Sequence, residues 1–490
     1  MEAPAKTVSP ARAETKNDQN RRRLLEGSLG LGVLRFGAPL VVGMVLHTAF
    51  NLVDLFMISR LEEGSEAIAA IGVSDMLAAV ATIMANGVSM ASVALISRHL
   101  GGSNLRGVRR VAWQSILLVA GMSVAFGAVG LFGAGWLIRD VMSVKGIAAE
   151  LGVGYLQITV GGCYSIFFLL QVTSILRALG HAKTAASLLI GGNALNIFLN
   201  VLFIYGPGDA PEILSFGPPI AEALGIPRLG VLGAAWATLI ARTGPVLVGL
   251  ALILRRRSGP RFHPVYLRPF RKELRQLWEL GWPSSAQLVV RVVATLVYIA
   301  LLNVAYTTET DQSALTAFSV CLRLETMVIF IGMGWGAAAS SFVGTNLGAQ
   351  NPGRAKAAGW YAAAFNALMM VVLASLYLRN AEPVVAFFDA DPVVVEIATE
   401  YIRTVVFTYV AFGVMIVLSQ AMTGAGATLQ SLLVDAAVLG FLVVPAAYVI
   451  VQVAELPRHW LWAVIAVGNV AGMLAYGVYY QRGRFLAKDL

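Results

Sequence analysis

The chain has 490 residues, of which 58% are apolar and 13% charged, where a soluble globular chain carries about 25% charged residues. A mean hydropathy of +0.74 leaves too little polar surface to cover a body in water, so most of the chain must dissolve in a bilayer, which excludes a soluble enzyme. The net charge of +9 has no soluble basic domain to carry it, and nucleic acid is excluded as a partner.

In chain order, residues 1–32 form a polar stretch carrying Arg21, Arg22 and Arg23 without a short apolar core and cleavage site, which predicts a cytoplasmic tail rather than a signal peptide. Apolar runs then predict six membrane spans near 33–59, 67–97, 111–138, 150–176, 184–205 and 230–254. A basic connection at 255–275 reads as a cytoplasmic interlobe linker, with Phe270 and Trp278 as interface anchors. Six more spans follow near 276–306, 314–345, 357–378, 397–421, 431–453 and 459–480, before a tail at 481–490. Runs this long exclude a porin-type barrel, whose strands alternate over about 10 residues. The expected fold is therefore all-α and integral to the membrane. Cys163 and Cys321 both lie in apolar runs and support neither a disulfide framework nor a metal site.

The tails and even-numbered connections hold the excess of Lys and Arg, which places both termini in the cytoplasm and the protein in the cell (inner) membrane. Outer connections are acidic, with Glu62, Glu63 and Glu66 in one and Asp389 and Asp391 in another.

The two halves repeat each other. LGGSNLRGVRRVAW (Leu100 to Trp113) aligns with LGAQNPGRAKAAGW (Leu347 to Trp360) at a shift of 247 positions, and Gly87 and Ala91 fall on Gly334 and Ala338 at the same shift. Pro39 and Gly180 match Pro283 and Gly426 at nearly that spacing. Both loop motifs lie on one side, so two pseudo-symmetric six-helix lobes should be related by an axis along the membrane normal, with a cavity between them. A body of this kind rocks about a central site; no filter-like motif supports a static channel.

Pro39, NLVDLFMISRL (Asn51 to Leu61), the Gly- and Ala-rich second span ending in LGGSNLRG, and the later LGAQNPGRA resemble the MATE (multidrug and toxic compound extrusion) family. RALGHAKTA, LNIFLNVLFIYG and LGVLGAAWAT fall where that family has comparable motifs, and the resemblance covers nearly all twelve spans. It implies a secondary antiporter that exports organic solutes as H⁺ or Na⁺ enters, with no other cofactor, no obligate protein partner, and only a small organic substrate and the bilayer as partners.

An ionised Asp at a helix centre costs about 2.5–3.5 kcal/mol on insertion scales, so an intramembrane carboxylate requires a reason. Asp54 shares one face of the first span with His47 and Asn51, and Asn193, Asn196 and Asn200 share one face of the fifth. These residues form the expected ion-coupling set with Thr238 of the sixth span; the resemblance implies cation coupling at Asp54, Asn196, Asn200 and Thr238. One branch of the family has an aspartate at the position of Asn200, so the site here should suit a proton. Arg291 and Phe412 stand where another branch has a glutamate and an aspartate, which implies that a carboxyl-terminal cation site is missing.

Arg291 needs a partner, and Glu325 on the next span, at a similar distance from the outer turn, is expected to supply one, with Arg323 nearby. The alternative is that Arg291 contacts substrate in a cavity also lined by Gln287 and Tyr164, with Phe167 and Phe168 as further candidates. Asp75 and Asp435 lie close enough to span ends to reach water. There is no phosphate-binding loop, HExxH or paired CxxC, so no enzyme chemistry is indicated. A flippase for a lipid-linked or amphipathic precursor is the second transport reading, since related two-lobed folds do this and Arg291 could bind phosphate; a cavity with several cationic residues would favour it. A membrane-embedded enzyme or receptor would need neither a duplicated lobe nor two polar helical faces.

Overall fold

The computed structural model describes residues 16–59, 64–255, 263–308 and 310–487. Among these residues there is no strand, and twelve helical segments are long and apolar enough to cross a bilayer. The first two spans belong to helices Leu29–Ser59 and Gly64–Gly101. Leu105–Val141, Gly146–Ala178, Ala182–Tyr205 and Gly230–Arg255 complete the first half. The second half comprises Arg271–Tyr306, Ser313–Gly348, Pro352–Arg379, Pro392–Gly424, Thr428–Val453 and His459–Arg482.

The duplication is visible in local geometry. Asn104 caps the third span by accepting from Gly107 N at 2.9 Å, and Asn351 caps the ninth by accepting from Arg354 N at 3.2 Å. Such caps satisfy amides that the helix cannot, and each contributes about 1 kcal/mol. The residues just before them, Ser103 and Gln350, both have φ of 58°, a left-handed conformation that non-glycine residues seldom adopt. The fourth span tightens at Val160–Cys163 and the tenth at Val406–Thr408, which are matching places in the repeat.

The lobes meet along a seam between the second and eighth spans. A Cβ on Gly101 would lie 1.9 Å from Thr345 O, and a Cβ on Gly348 would lie 1.9 Å from Arg98 O. These contacts are reciprocal under the 247-residue shift, so a pseudo-twofold axis passes between the glycines. Both spans run toward the face that carries the Asn104 and Asn351 loops, which sets the axis along the bundle. Farther from that face, Trp335 packs over Gly37, Phe36 meets Phe342 edge-on at 5.6 Å, and Ser285 Oγ donates to Ile83 O at 3.2 Å. The His47–Phe330 ring contact at 5.5 Å lies near mid-depth. Beyond that level, no hydrogen bond, ion pair or ring contact joins the lobes among the described residues. Among the described residues the contacts that join the lobes are concentrated at the loop-motif face.

The stretch predicted as a simple tail is docked from Lys16 onward. Helix Lys16–Leu25 lies on the seam: Arg21 donates to Gly101 O at 3.1 Å, Asn346 donates to Leu24 O at 3.3 Å, and the Leu24 side chain is buried. Residues 256–262 of the interlobe linker lie outside the described residues. The remainder is held by Gln114, which donates to Tyr266 O at 2.8 Å and Arg268 O at 2.9 Å and accepts from Phe270 N at 2.9 Å. Phe270 sits beneath the Arg110 guanidinium at 5.2 Å instead of anchoring in lipid, while Trp278 is exposed as expected.

Substituting Gly348 by Val inserts bulk where backbones touch, and overpacking of this kind costs about 1–3 kcal/mol. The cost falls on the closed seam. Spin labels at Arg106→Cys and Gly353→Cys should move to longer separations in Gly348→Val, because only the seam is strained. An unchanged distance distribution in a normally folded variant would show that the seam does not set lobe closure.

Candidate ion-coupling and substrate site

Asp54 lies near the end of the first span that points away from the seam. Asn200 Nδ2 donates to its Oδ1 at 2.6 Å. The Asn196 amide, oriented with its nitrogen toward the carboxylate, donates to Oδ2 at 2.9 Å while its oxygen accepts from Thr238 Oγ1 at 3.2 Å. The reverse orientation would set amide oxygen against carboxylate oxygen. Asp54, Asn196, Asn200 and Thr238 are thus brought together from three helices, as the sequence implies. Nearer the seam, His47 Nδ1 meets Asn193 Oδ1 at 3.2 Å. Seven residues of helix place this second level about 10 Å from the first. Asn51 lies on the same helix between them, but its side chain is outside the described residues. Two buried amide atoms, Asn200 Oδ1 and Asn193 Nδ2, have no hydrogen-bond partner among the described residues.

Sequence reasoning missed Arg242. It is four residues from Thr238 on the sixth span, hence one turn away on the same face, and its charge acts on Asp54, Asp75, His47 and Tyr155. The signal was available: an arginine at mid-span on the buried face of its helix. Asp75, expected to reach water, is exposed and lies near enough to Arg242 for their charges to interact.

In the second lobe the arrangement differs from the expected one. Arg291 pairs with Asp435, its Nε lying 2.6 Å from Oδ2, and not with Glu325. A count from the outer turn says nothing of facing: Glu325 turns toward Tyr401 of the tenth span and Arg291 toward Asp435 of the eleventh. Gln287 is also buried in this cluster, donating to Ser419 Oγ at 2.8 Å, Asp435 Oδ2 at 2.9 Å and Tyr476 Oη at 3.0 Å. Tyr476 Oη lies 2.8 Å from Asp435 Oδ1. Neither Arg291 nor Gln287 is therefore free to line a cavity. Asp435, expected to reach water, is held away from it.

Glu325 instead accepts from Tyr401 Oη at 2.5 Å within an aromatic wall that includes Tyr298 and Tyr409. Arg323 is exposed and joins no ion pair. Phe167 is buried and packs against Phe126, and Phe168 packs beside it within the first lobe. Tyr164 remains 41% exposed and accepts from Thr243 Oγ1 at 3.3 Å, so of the three aromatic candidates it is the accessible one.

Arg291→Ala leaves Asp435 buried without its counter-charge and should cost about 3–5 kcal/mol. Arg291→Met combined with Asp435→Leu removes both charges and should recover much of the loss in thermal melting of purified protein. A single Arg291→Ala variant that melts like wild type would show that the pair carries no structural burden.

A family model described as MatE matches residues 39–202 and 289–449, most of each lobe. The probable multidrug resistance protein YpnP of Bacillus subtilis is 24% identical over 95% of this chain and 98% of its own length. The FAD transporter of Shewanella oneidensis is 25% identical over 88% and 90%. A solved structure described as the outward-facing conformation of a multidrug resistance MATE transporter of the MOP superfamily superposes with a TM-score of 0.85, at 23% identity over 98% of this chain and all of that one. With the family model spanning both halves of a twelve-helix, internally duplicated body, the chain belongs to the MATE family of multidrug efflux transporters and is not an enzyme.

Proposed function

We propose that this chain exports organic solutes by alternating access, driven by protons moving inward, with Asp54 as the coupling carboxylate. The observation that carries the proposal is how Asp54 is held. Its described partners are neutral amides, whereas Asp435 is fixed by Arg291. A carboxylate in an ion pair cannot gain a proton without stranding a buried cation. One held by amides can exchange its charge while its neighbours reorient. Substrate and proton would then exclude each other in one cavity.

The donors favour H⁺ over Na⁺. Asn196 and Asn200 direct N–H groups at the carboxylate, while a metal cation needs oxygens around it. Turning both amides would be necessary to build a Na⁺ site. His47, about two turns nearer the seam, is positioned to tune or relay the proton. Of the supports for the flippase reading, a phosphate contact at Arg291 falls away, since Arg291 is paired with Asp435.

The excess of Lys and Arg on the seam face supports a cytoplasmic orientation of that face and of both termini. On this reading the conformation opens outward. Each proton moving inward draws about 2.3 kcal/mol per 100 mV, and a pH gradient adds to this.

In proteoliposomes with an imposed proton gradient, Asp54→Asn should insert and melt normally but lose gradient-driven export to the level of empty liposomes. His47→Ala should retain transport with a shifted pH dependence. Active, gradient-dependent export by folded Asp54→Asn would end the coupling assignment. Cysteines introduced at Asn104 and Asn351 should both react with an impermeant reagent only after cells are opened; labelling of either in intact cells would overturn the orientation.

A further inference from the structure

Arg242 stands at the middle of the sixth span, Gly230–Arg255. Ala235, Pro245, Val246, Gly249 and Ile253 mark that helix's buried face, and Trp236, Ile240 and Leu247 its lipid face. At 100° per residue, Arg242 falls on the buried side with Thr238. Its partial exposure is therefore toward the interior of the lobe and not toward lipid. Thr238 donates to Asn196, which donates to Asp54, so Arg242 faces the same interior as the Asp54 cluster.

The groups whose charge reaches Arg242 are Asp54 on the first span, Asp75 on the second and Tyr155 on the fourth, with His47 the other titratable neighbour. No hydrogen bond or ion pair joins Arg242 to any described residue. Arg291, the mid-span arginine of the other lobe, is by contrast paired with Asp435. A guanidinium inside a membrane protein is expensive. One that faces a cavity without a partner is available to a ligand, and its planar fork suits a carboxylate or phosphate.

We infer that Arg242 is an anion-recognition residue of the amino-terminal cavity, and that the transported substrates carry a carboxylate or phosphate together with a cationic group. The inference rests on the reading of this cavity as the transport site. The two charges of such a substrate fit the opposite charges of Asp54 and Arg242: the cationic part faces Asp54, where it competes with the proton, and the anionic part faces Arg242, with Asp75 as a further acid near the guanidinium. A purely anionic ligand fits less well, because it would bind best when Asp54 is protonated and so would oppose exchange.

Tetramethylrhodamine and its methyl ester form a matched pair, the first with a carboxylate beside its cationic ring system and the second with the cation alone. Fluorescence polarisation with the purified full chain should show tighter binding of the acid by about tenfold or more, the usual worth of a charge-assisted contact. Arg242→Gln should abolish that preference and leave ester affinity unchanged. Arg242→Lys should keep a reduced preference and supplies the test if the Gln variant does not fold. Equal binding of acid and ester by wild type, failure of the acid to bind, or an undiminished preference in either variant would overturn the inference. Equilibrium binding uses no ion gradient, so the coupling proposal fails separately: if Asp54→Asn leaves ester affinity untouched, Asp54 loses its role while the assignment of Arg242 stands.

Discussion

A charge inside hydrocarbon must be neutralised, hydrogen-bonded or given access to water, and this constraint organises the bundle. The buried acids meet it in different ways. Asp435 uses an arginine, a glutamine and a tyrosine, giving a network fixed in charge. Glu325 accepts from Tyr401 within an aromatic wall. Asp54 uses the amides of the fifth span, which satisfy its oxygens without fixing its charge. Two lobes descended from one repeat have therefore diverged: the second holds a locked ion pair, and the first has a carboxylate and an arginine that share a cavity without pairing.

The duplication explains how such a cavity can open to one side at a time. Gly101 and Gly348 let backbones touch at the pseudo-twofold axis, where any side chain would hold the lobes apart. Aromatic contacts extend the closure to mid-depth, and helix Lys16–Leu25 crosses the seam with hydrogen bonds to both lobes. Contacts concentrated at one end define a lever. Closure at the seam and separation at the far end are two aspects of one rigid-body arrangement, so a ligand that prefers one cavity shape biases the whole molecule.

Much of this was legible in the sequence because a bilayer restricts the options. Long apolar runs become helices, and a 247-residue shift becomes matched caps at Asn104 and Asn351. The polar stripes through Asp54 and Asn196 converged because helical spacing alone puts their members on one face. Facing between helices was not legible. Residue counts from the outer turn set Glu325 level with Arg291, but they do not say which neighbour each side chain meets: Glu325 meets Tyr401 and Arg291 meets Asp435. The position of Arg242 one turn from Thr238 on the same face is readable from helical spacing. The docking of Lys16–Leu25 depends on contacts with residues hundreds of positions away and had no local signature.

The central claim is that the charge of Asp54 changes when substrate binds. Infrared difference spectroscopy of purified protein, with and without a bound cationic dye such as the tetramethylrhodamine ester, reads protonated carboxyl groups directly. The account requires substrate binding to remove one carboxylic acid band, with a matching carboxylate gain, and requires that change to be missing from Asp54→Asn. A difference spectrum silent in the carboxylic acid region, or a band loss that persists in Asp54→Asn, would contradict it.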